Sequence, residues 1–218
     1  MKKIKKEYKA VIFDMDGVIV DSMPYHFLAW YEALRPIGVR ISSFDVYMRE
    51  GERWQKTVLE LLEREHIKIT DKLTKKIHRD REQIFKRIYK RFIFQGSFEL
   101  LECLNKKEYS LGLVTGTPTK EVKKILPKKI RDIFKCIVAG DSVVNGKPHP
   151  EPYLRAAEIL GVTPSECIVI ENAPLGIRSA QQAGMVCVAV TTSLPREYVK
   201  NADHIVDSNS ATKYFSSP

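Results

Sequence analysis

Residues Phe13 to Ser22 read FDMDGVIVDS, directly after the apolar Ala10-Val11-Ile12. A short apolar run of this kind reads as a buried strand. Asp14 and Asp16 stand at its end, two residues apart, and Gly17 follows. Paired carboxylates at the end of a buried strand cost stability unless other groups compensate them. The fold follows from asking where the compensation comes from.

Similar apolar runs recur: LGLVT at 111–115, CIVAG at 136–140, CIVIE at 167–171, VCVAV at 186–190 and a short HIV at 204–206. Helical patterns separate several of them, at 97–106, 119–126, 152–160 and 175–183. Strands alternating with helices specify a parallel sheet covered on both faces. The expected class is α/β, a Rossmann-like doubly wound parallel sheet. One segment breaks the alternation. Residues 23–93 hold no strand run, only amphipathic patterns such as YHFLAWYEAL and TVLELLERE. Leu73, Ile77, Ile84, Ile88 and Phe92 are expected on one helical stripe there. The expected organisation is a core of residues 1–22 and 94–218 with an all-helical insertion, 23–93. The tail NSATKYFSSP is expected to fray.

The formal net charge is +9, which raises the question of nucleic acid. The basic residues cluster over 72–91, at helical spacing among acidic and apolar ones, without an aromatic-stacking or base-reading motif. A solvated helix face accounts for them, and an anionic small substrate suits a basic protein equally well. Nucleic acid is therefore not expected as a partner. No apolar run approaches the ~20 residues of a membrane span. The opening MKKIKK imitates the start of a signal peptide, but the apolar stretch after it is short and Asp14 and Asp16 interrupt it. A cytoplasmic protein is expected, and a monomer, because the fold needs no partner. Cys103, Cys136, Cys167 and Cys187 form no C-x-x-C pair, and three fall in strand runs. They read as small buried hydrophobes.

In open parallel sheets, ligands bind beyond the carboxyl ends of the strands. Asp14 and Asp16 leave the first strand, Thr115, Gly116 and Thr117 the second, and Glu171 and Asn172 the CIVIE strand. Lys147 stands between the last two, in a loop set by the prolines of KPHPEP. The set matches phosphoryl transfer to a carboxylate. A magnesium ion on carboxylate and carbonyl oxygens would screen the anionic reactants. A lysine would neutralise further charge, and a hydroxyl with backbone N–H groups would hold the phosphoryl oxygens. A second carboxylic acid with a raised pKa would protonate the leaving oxygen and later deprotonate water. Each piece alone has an ordinary explanation: D-x-D and Thr-Gly as turns, Lys-Pro as a solvated side chain, Glu-Asn as a helix N-cap. Their succession at strand ends, in this order, carries the inference.

FDMDGVIVDS, VTGT, GKPHPEPY and VIENAPLGIRSAQQAGM together resemble the motifs of the haloacid dehalogenase-like hydrolases, over essentially all the chain outside the helical insertion. The sequence looks most like the branch with beta-phosphoglucomutase and small sugar-phosphate phosphatases, in which a helical cap follows the first motif. The resemblance implies Asp14 as nucleophile and magnesium ligand, and Asp16 as general acid/base with its backbone carbonyl on the metal. It implies Thr115 and Lys147 as binders of the phosphoryl group, with Gly116 and Thr117 beside them. Glu171 and Asn172 stand at the last acidic metal site. The branch usually has Glu-Asp here. An amide oxygen brings no charge, so weaker magnesium affinity is expected. DSMPYHFLAW resembles the mutase's entry to the cap, with His26 and Trp30 four apart on one helical face. His26 matches a histidine that lies in the mutase's active site. Gly51, in MREGERWQ, stands in the specificity loop. The mutase's next arginine does not align cleanly, and Arg53 and Arg49 are the candidates for its place.

If neither arginine substitutes for it, the mutase's second phosphate would be without its usual clamp, which favours hydrolysis. The expected function is a magnesium-dependent phosphatase acting on a small phosphorylated metabolite through a phosphoaspartate. A beta-phosphoglucomutase-type phosphotransferase shares the first step. A catalytically silent anion- or nucleic-acid-binding protein is the alternative of another class, and intact Asp14 and Asp16 argue against it. A dehalogenase would leave Asp16 without a role.

Overall fold

The computed structural model describes residues 8–94 and 96–207. The opening MKKIKK and the tail from Asn209 lie outside the described residues. In chain order the elements are β1 (Ala10–Phe13), α1 (Met23–Leu34), α2 (Ser43–Tyr47), α3 (Trp54–Arg64), α4 (Asp71–Ile88), α5 (Ser97–Lys106) and β2 (Ser110–Val114). There follow α6 (Thr119–Ile125), α7 (Lys128–Arg131), β3 (Cys136–Val138), α8 (Glu151–Leu160), β4 (Cys167–Glu171), α9 (Pro174–Gln182), β5 (Val186–Val190) and β6 (His204–Val206).

The strands form one sheet in the order β3-β2-β1-β4-β5-β6, and every neighbouring pair is parallel. The strand order reverses between β1 and β4, which is where parallel sheets open a crevice for ligands. Register fixes what meets there. Phe13 lies opposite both Leu113 and Ile170, so Asp14, Thr115 and Glu171 emerge at nearly one level. Asp14 N–H still donates to the Ile170 carbonyl at 3.0 Å, which holds the first carboxylate against β4.

Alternate residues of each strand face opposite helical layers. Ala10 and Ile12 pack with Tyr153, Ala156, Ile177 and Ala180 of α8 and α9. Val11 and Phe13 pack with Leu101, Leu104, Val122 and Ile125 of α5 and α6. Strands covered on both faces read as continuous apolar runs, the pattern seen in the sequence.

Helices α1–α4 all lie between β1 and β2 and close over an apolar cluster of their own, with Trp30, Leu34, Val58, Leu61, Leu62 and Ile77. Local signals set their ends. Ser42 and Asp45 form a capping box at α2, and the Thr70 hydroxyl accepts from Leu73 N–H at α4. The expected stripe holds only in part. Ile77 is buried, but Phe92 is 58% exposed. The reason is the backbone: α4 stops at Ile88, and Tyr89 turns extended at φ −63°, ψ 124°. The chain then runs back beside its own entry into the helices. Asp21 N–H donates to Phe92 O at 2.9 Å and Phe94 N–H to Ile19 O at 3.1 Å, and Val20 bridges Ile93 antiparallel.

No helix among the described residues is long and apolar enough to cross a membrane. Cys136, Cys167 and Cys187 are buried free thiols. Burial pushes the Cys136 thiol up to about 11 and Cys167 up to about 12. A disulfide-exchange thiol reagent at pH 8 should therefore modify Cys103 alone in the native protein, and all four thiols after unfolding. Rapid native modification of a second cysteine would contradict this packing.

Candidate active site

Asp14, immediately after β1, is fully buried. Lys147, in the loop between β3 and α8 and followed by a cis peptide to Pro148, reaches it. Lys147 Nζ donates to Asp14 Oδ1 at 2.5 Å and to Glu171 Oε1 at 2.6 Å. Glu171, the last residue of β4, also accepts from the Tyr153 hydroxyl at 2.8 Å and from the backbone N–H groups of Asn172 and Ala173. Burial works against the lysine's charge, but Asp14 and Glu171 reverse that and raise its pKa well above that of free lysine. Burial is likewise the main reason that Asp14's carboxyl is pushed well above the usual range. Lys147 opposes the push, and Glu171 and Asp16 add to it.

Asp16 has the opposite surroundings. Its Oδ1 accepts from Ser22 Oγ at 2.6 Å and His26 Nε2 at 3.1 Å, and its Oδ2 from the hydroxyls of Thr115 at 3.2 Å and Thr117 at 3.0 Å. Arg81 Nη2 lies 2.8 Å from His26 Nδ1. A guanidinium only donates, so His26 carries its ring hydrogen on Nε2 and gives it to Asp16. The Arg81 guanidinium in turn lies over the Trp30 and Phe85 rings, at 5.5 Å from each centroid, and His26 stacks on Phe85 at 4.4 Å. Burial raises Asp16's pKa, but His26, Ser22 and Thr117 outweigh it and hold the carboxyl at about 2. The raised pKa expected of a general acid is therefore not present in this arrangement.

The loop between α2 and α3 covers the carboxylates. Gly51 has φ +77°, and a Cβ there would strike the Lys147 side chain. A Cβ at Gly116 would stand 3.1 Å from Gly51 Cα. Glycine is needed at 51 because the backbone is left-handed and rests directly on the lysine. Beside this contact, between the helices and the strand ends, lies a cavity of about 280 Å³. Asp16, His26, Trp30, Arg81, Gly116 and Thr117 are among the residues that line it.

A model of the haloacid dehalogenase-like hydrolases matches residues 8–184. The chain belongs to that family. It is 34% identical to a phosphorylated carbohydrates phosphatase of Thermotoga maritima, over 81% of this chain and 82% of that one. It is 33% identical to the beta-phosphoglucomutase of Bacillus subtilis, over 86% and 85%. The beta-phosphoglucomutase structure from Clostridium difficile superposes with a TM-score of 0.81 at 27% identity, covering 94% of this chain and 93% of that one.

In this haloacid dehalogenase-like hydrolase the expected residues converge, with two differences of detail. Both candidate arginines give donors to protein groups. Arg53 lines the cavity, but its Nη2 donates to the carbonyls of Val143 and Val144. Arg49 is held by Glu60 at 3.2 Å and the Asp45 carbonyl at 2.9 Å. Glu171, expected on a metal, has both oxygens occupied by the four donors named above. Sequence reasoning missed Ser22, Glu50, Arg81 and Tyr153. Ser22 and Glu50 lay inside quoted motifs, and Glu50 directly precedes Gly51. Tyr153 closes the quoted GKPHPEPY, whereas Arg81 gave no local signal, because helix packing alone brings it in.

A metal fits the donors present. A carboxylate oxygen from each of Asp14, Glu50 and Glu171 lies within 4.8 Å of the other two. Asp14 Oδ2, Glu50 Oε2 and Asn172 Oδ1 are buried without hydrogen-bond partners. These are hard oxygen donors of the kind that suits magnesium. Removing the lysine should expose how strained the carboxylates are. In chelator, Lys147→Met should lose about 3–5 kcal/mol in urea unfolding, because it leaves buried carboxylates unpaired. A loss under ~1 kcal/mol, the usual worth of a surface pair, would mean that the pair is not structural.

Proposed function

We propose that this protein is a magnesium-dependent phosphatase that hydrolyses a small phosphorylated metabolite through a phosphoaspartate on Asp14. The observation that carries the reading is the buried Lys147 ammonium joining Asp14 to Glu171, with Asp14 Oδ2 left without a partner. Relatives named as a phosphatase of phosphorylated carbohydrates and as a phosphoglucomutase support the substrate class.

Asp14 attacks phosphorus, and the bond from phosphorus to the ester oxygen breaks. Lys147 offsets the incoming charge, and the hydroxyls of Thr115 and Thr117 are at hand for the phosphoryl oxygens. Magnesium held by Asp14, the Asp16 backbone carbonyl and Asn172 would screen the charge between carboxylate and phosphate. A protonated Asp16 delivers its proton to the departing oxygen. It then takes one from water as the acyl phosphate is hydrolysed. Its low pKa means that its donors must first let go. Two of them, Ser22 and His26, stand where the chain enters the helices. The acid strength of Asp16 is thus set by the position of the helical insertion, which acts as a cap over the crevice.

Hydrolysis is favoured over the mutase reaction because Arg49 and Arg53 both already give donors to protein groups. A second phosphate would have to compete with those groups for the arginines' donors. The test is phosphate release from a panel of phosphomonoesters, with and without magnesium. Turnover should require the metal and fall on the order of a thousand-fold or more in Asp14→Asn. Activity that survives in Asp14→Asn would overturn the phosphoaspartate. No release, with conversion of beta-glucose 1-phosphate in the presence of a bisphosphate primer, would make it a mutase.

A further inference from the structure

Glu50 has no role in the reaction just described, and its position is hard to account for without one. It is 8% exposed. Among the described residues no ion pair involves it, and its Oε2 has no hydrogen-bond partner. A buried carboxylate in that state is costly. The loop that carries it is closely fixed, because Gly51 rests on Lys147 and Gly116. Glu50 is thereby brought to the Asp14–Glu171 pair, with an oxygen from each of the three within 4.8 Å of the others. Three carboxyl groups then face one ammonium, which can balance only one of them in ionised form. Glu171 is saturated by its own donors, so the oxygens left over are those of Asp14, Glu50 and the neutral Asn172.

We infer that Glu50 is a metal ligand supplied by the helical insertion, so that divalent cation binding and closure of the insertion over the core are one coupled event. The inference rests on the magnesium reading above. The charge that Asn172 fails to provide from β4 arrives from the opposite side of the crevice. A ligand that is present only when the insertion is down gives the cation a higher affinity for the closed form. By linkage, the cation favours closure to the same degree.

The test is calorimetric titration of the metal-free protein with Mg²⁺, beside Glu50→Gln, Asn172→Asp and the double variant. Glu50→Gln should weaken binding about ten-fold or more, since charged oxygens set affinity at such sites. Adding Asn172→Asp to Glu50→Gln should recover most of the loss. In parallel, Mg²⁺ should lower the radius of gyration of the wild-type protein in small-angle scattering and leave that of Glu50→Gln unchanged. Equal affinity of wild type and Glu50→Gln would overturn the role of Glu50 while leaving the magnesium reading intact. Equal Mg²⁺-induced compaction in both would break the coupling. Absence of any Mg²⁺ binding by the wild type would instead sink the magnesium reading itself.

Discussion

The ammonium of Lys147 sits between Asp14 and Glu171, at 2.5 and 2.6 Å, in a place without solvent. Two carboxylates at the adjacent ends of β1 and β4 would repel each other and resist burial, and the lysine is what lets the two strand ends close up. Much else follows from holding it there. The loop between β3 and α8 must fold back across the sheet, and α8 must bring Tyr153 to the remaining lone pair of Glu171. Glu171 has both oxygens satisfied and serves as a fixed anchor. Asp14 keeps one free oxygen and is the atom with chemistry left to do.

Asp14 and Asp16 are two residues apart and differ in almost every respect. One has a single donor, Lys147, and is pushed upward by burial; the other has four and is held at about 2. The difference comes from which elements supply the donors. Asp14 is surrounded by the sheet and by Lys147. Asp16 accepts from both bodies of the protein, from Thr115 and Thr117 beyond β2 and from Ser22 and His26 at the start of the helices. Neighbouring carboxyls whose environments drive them apart can divide the work of a reaction. The helices enter this division through Arg81 on α4, which holds His26 in the tautomer that donates.

The strands were legible because a sheet buried on both faces leaves continuous apolar runs, and all six appear within a residue or two of where they were read. Thr115, Ala139 and Gly140 fell just outside, since burial continues at Thr115 and Ala139 past the last ladder bond. The short α7 was missed, as four residues carry too little periodicity. The core half of the site was legible for a related reason: parallel register carries strand-end residues to a common level. The half contributed by the helices was less so. His26 could be placed by the resemblance of DSMPYHFLAW to the mutase's entry to the cap, but the fate of Arg49 and Arg53 depended on which carbonyls and carboxylates lay within reach. Phe92 was misplaced because α4 ends where the chain must return to pair with residues 19–21, a long-range demand that no local pattern records.

That return has a consequence beyond this one molecule. The chain leaves the core and re-enters it through backbones bonded to each other, with Val20 opposite Ile93. The sheet therefore sees the whole excursion of some seventy residues as two adjacent chain ends. A segment of different length, or of different architecture, could be grafted between those ends without changing strand order or register. The catalytic framework and the module above it can diversify independently, provided that the graft supplies partners for Asp16 and leaves room over Lys147.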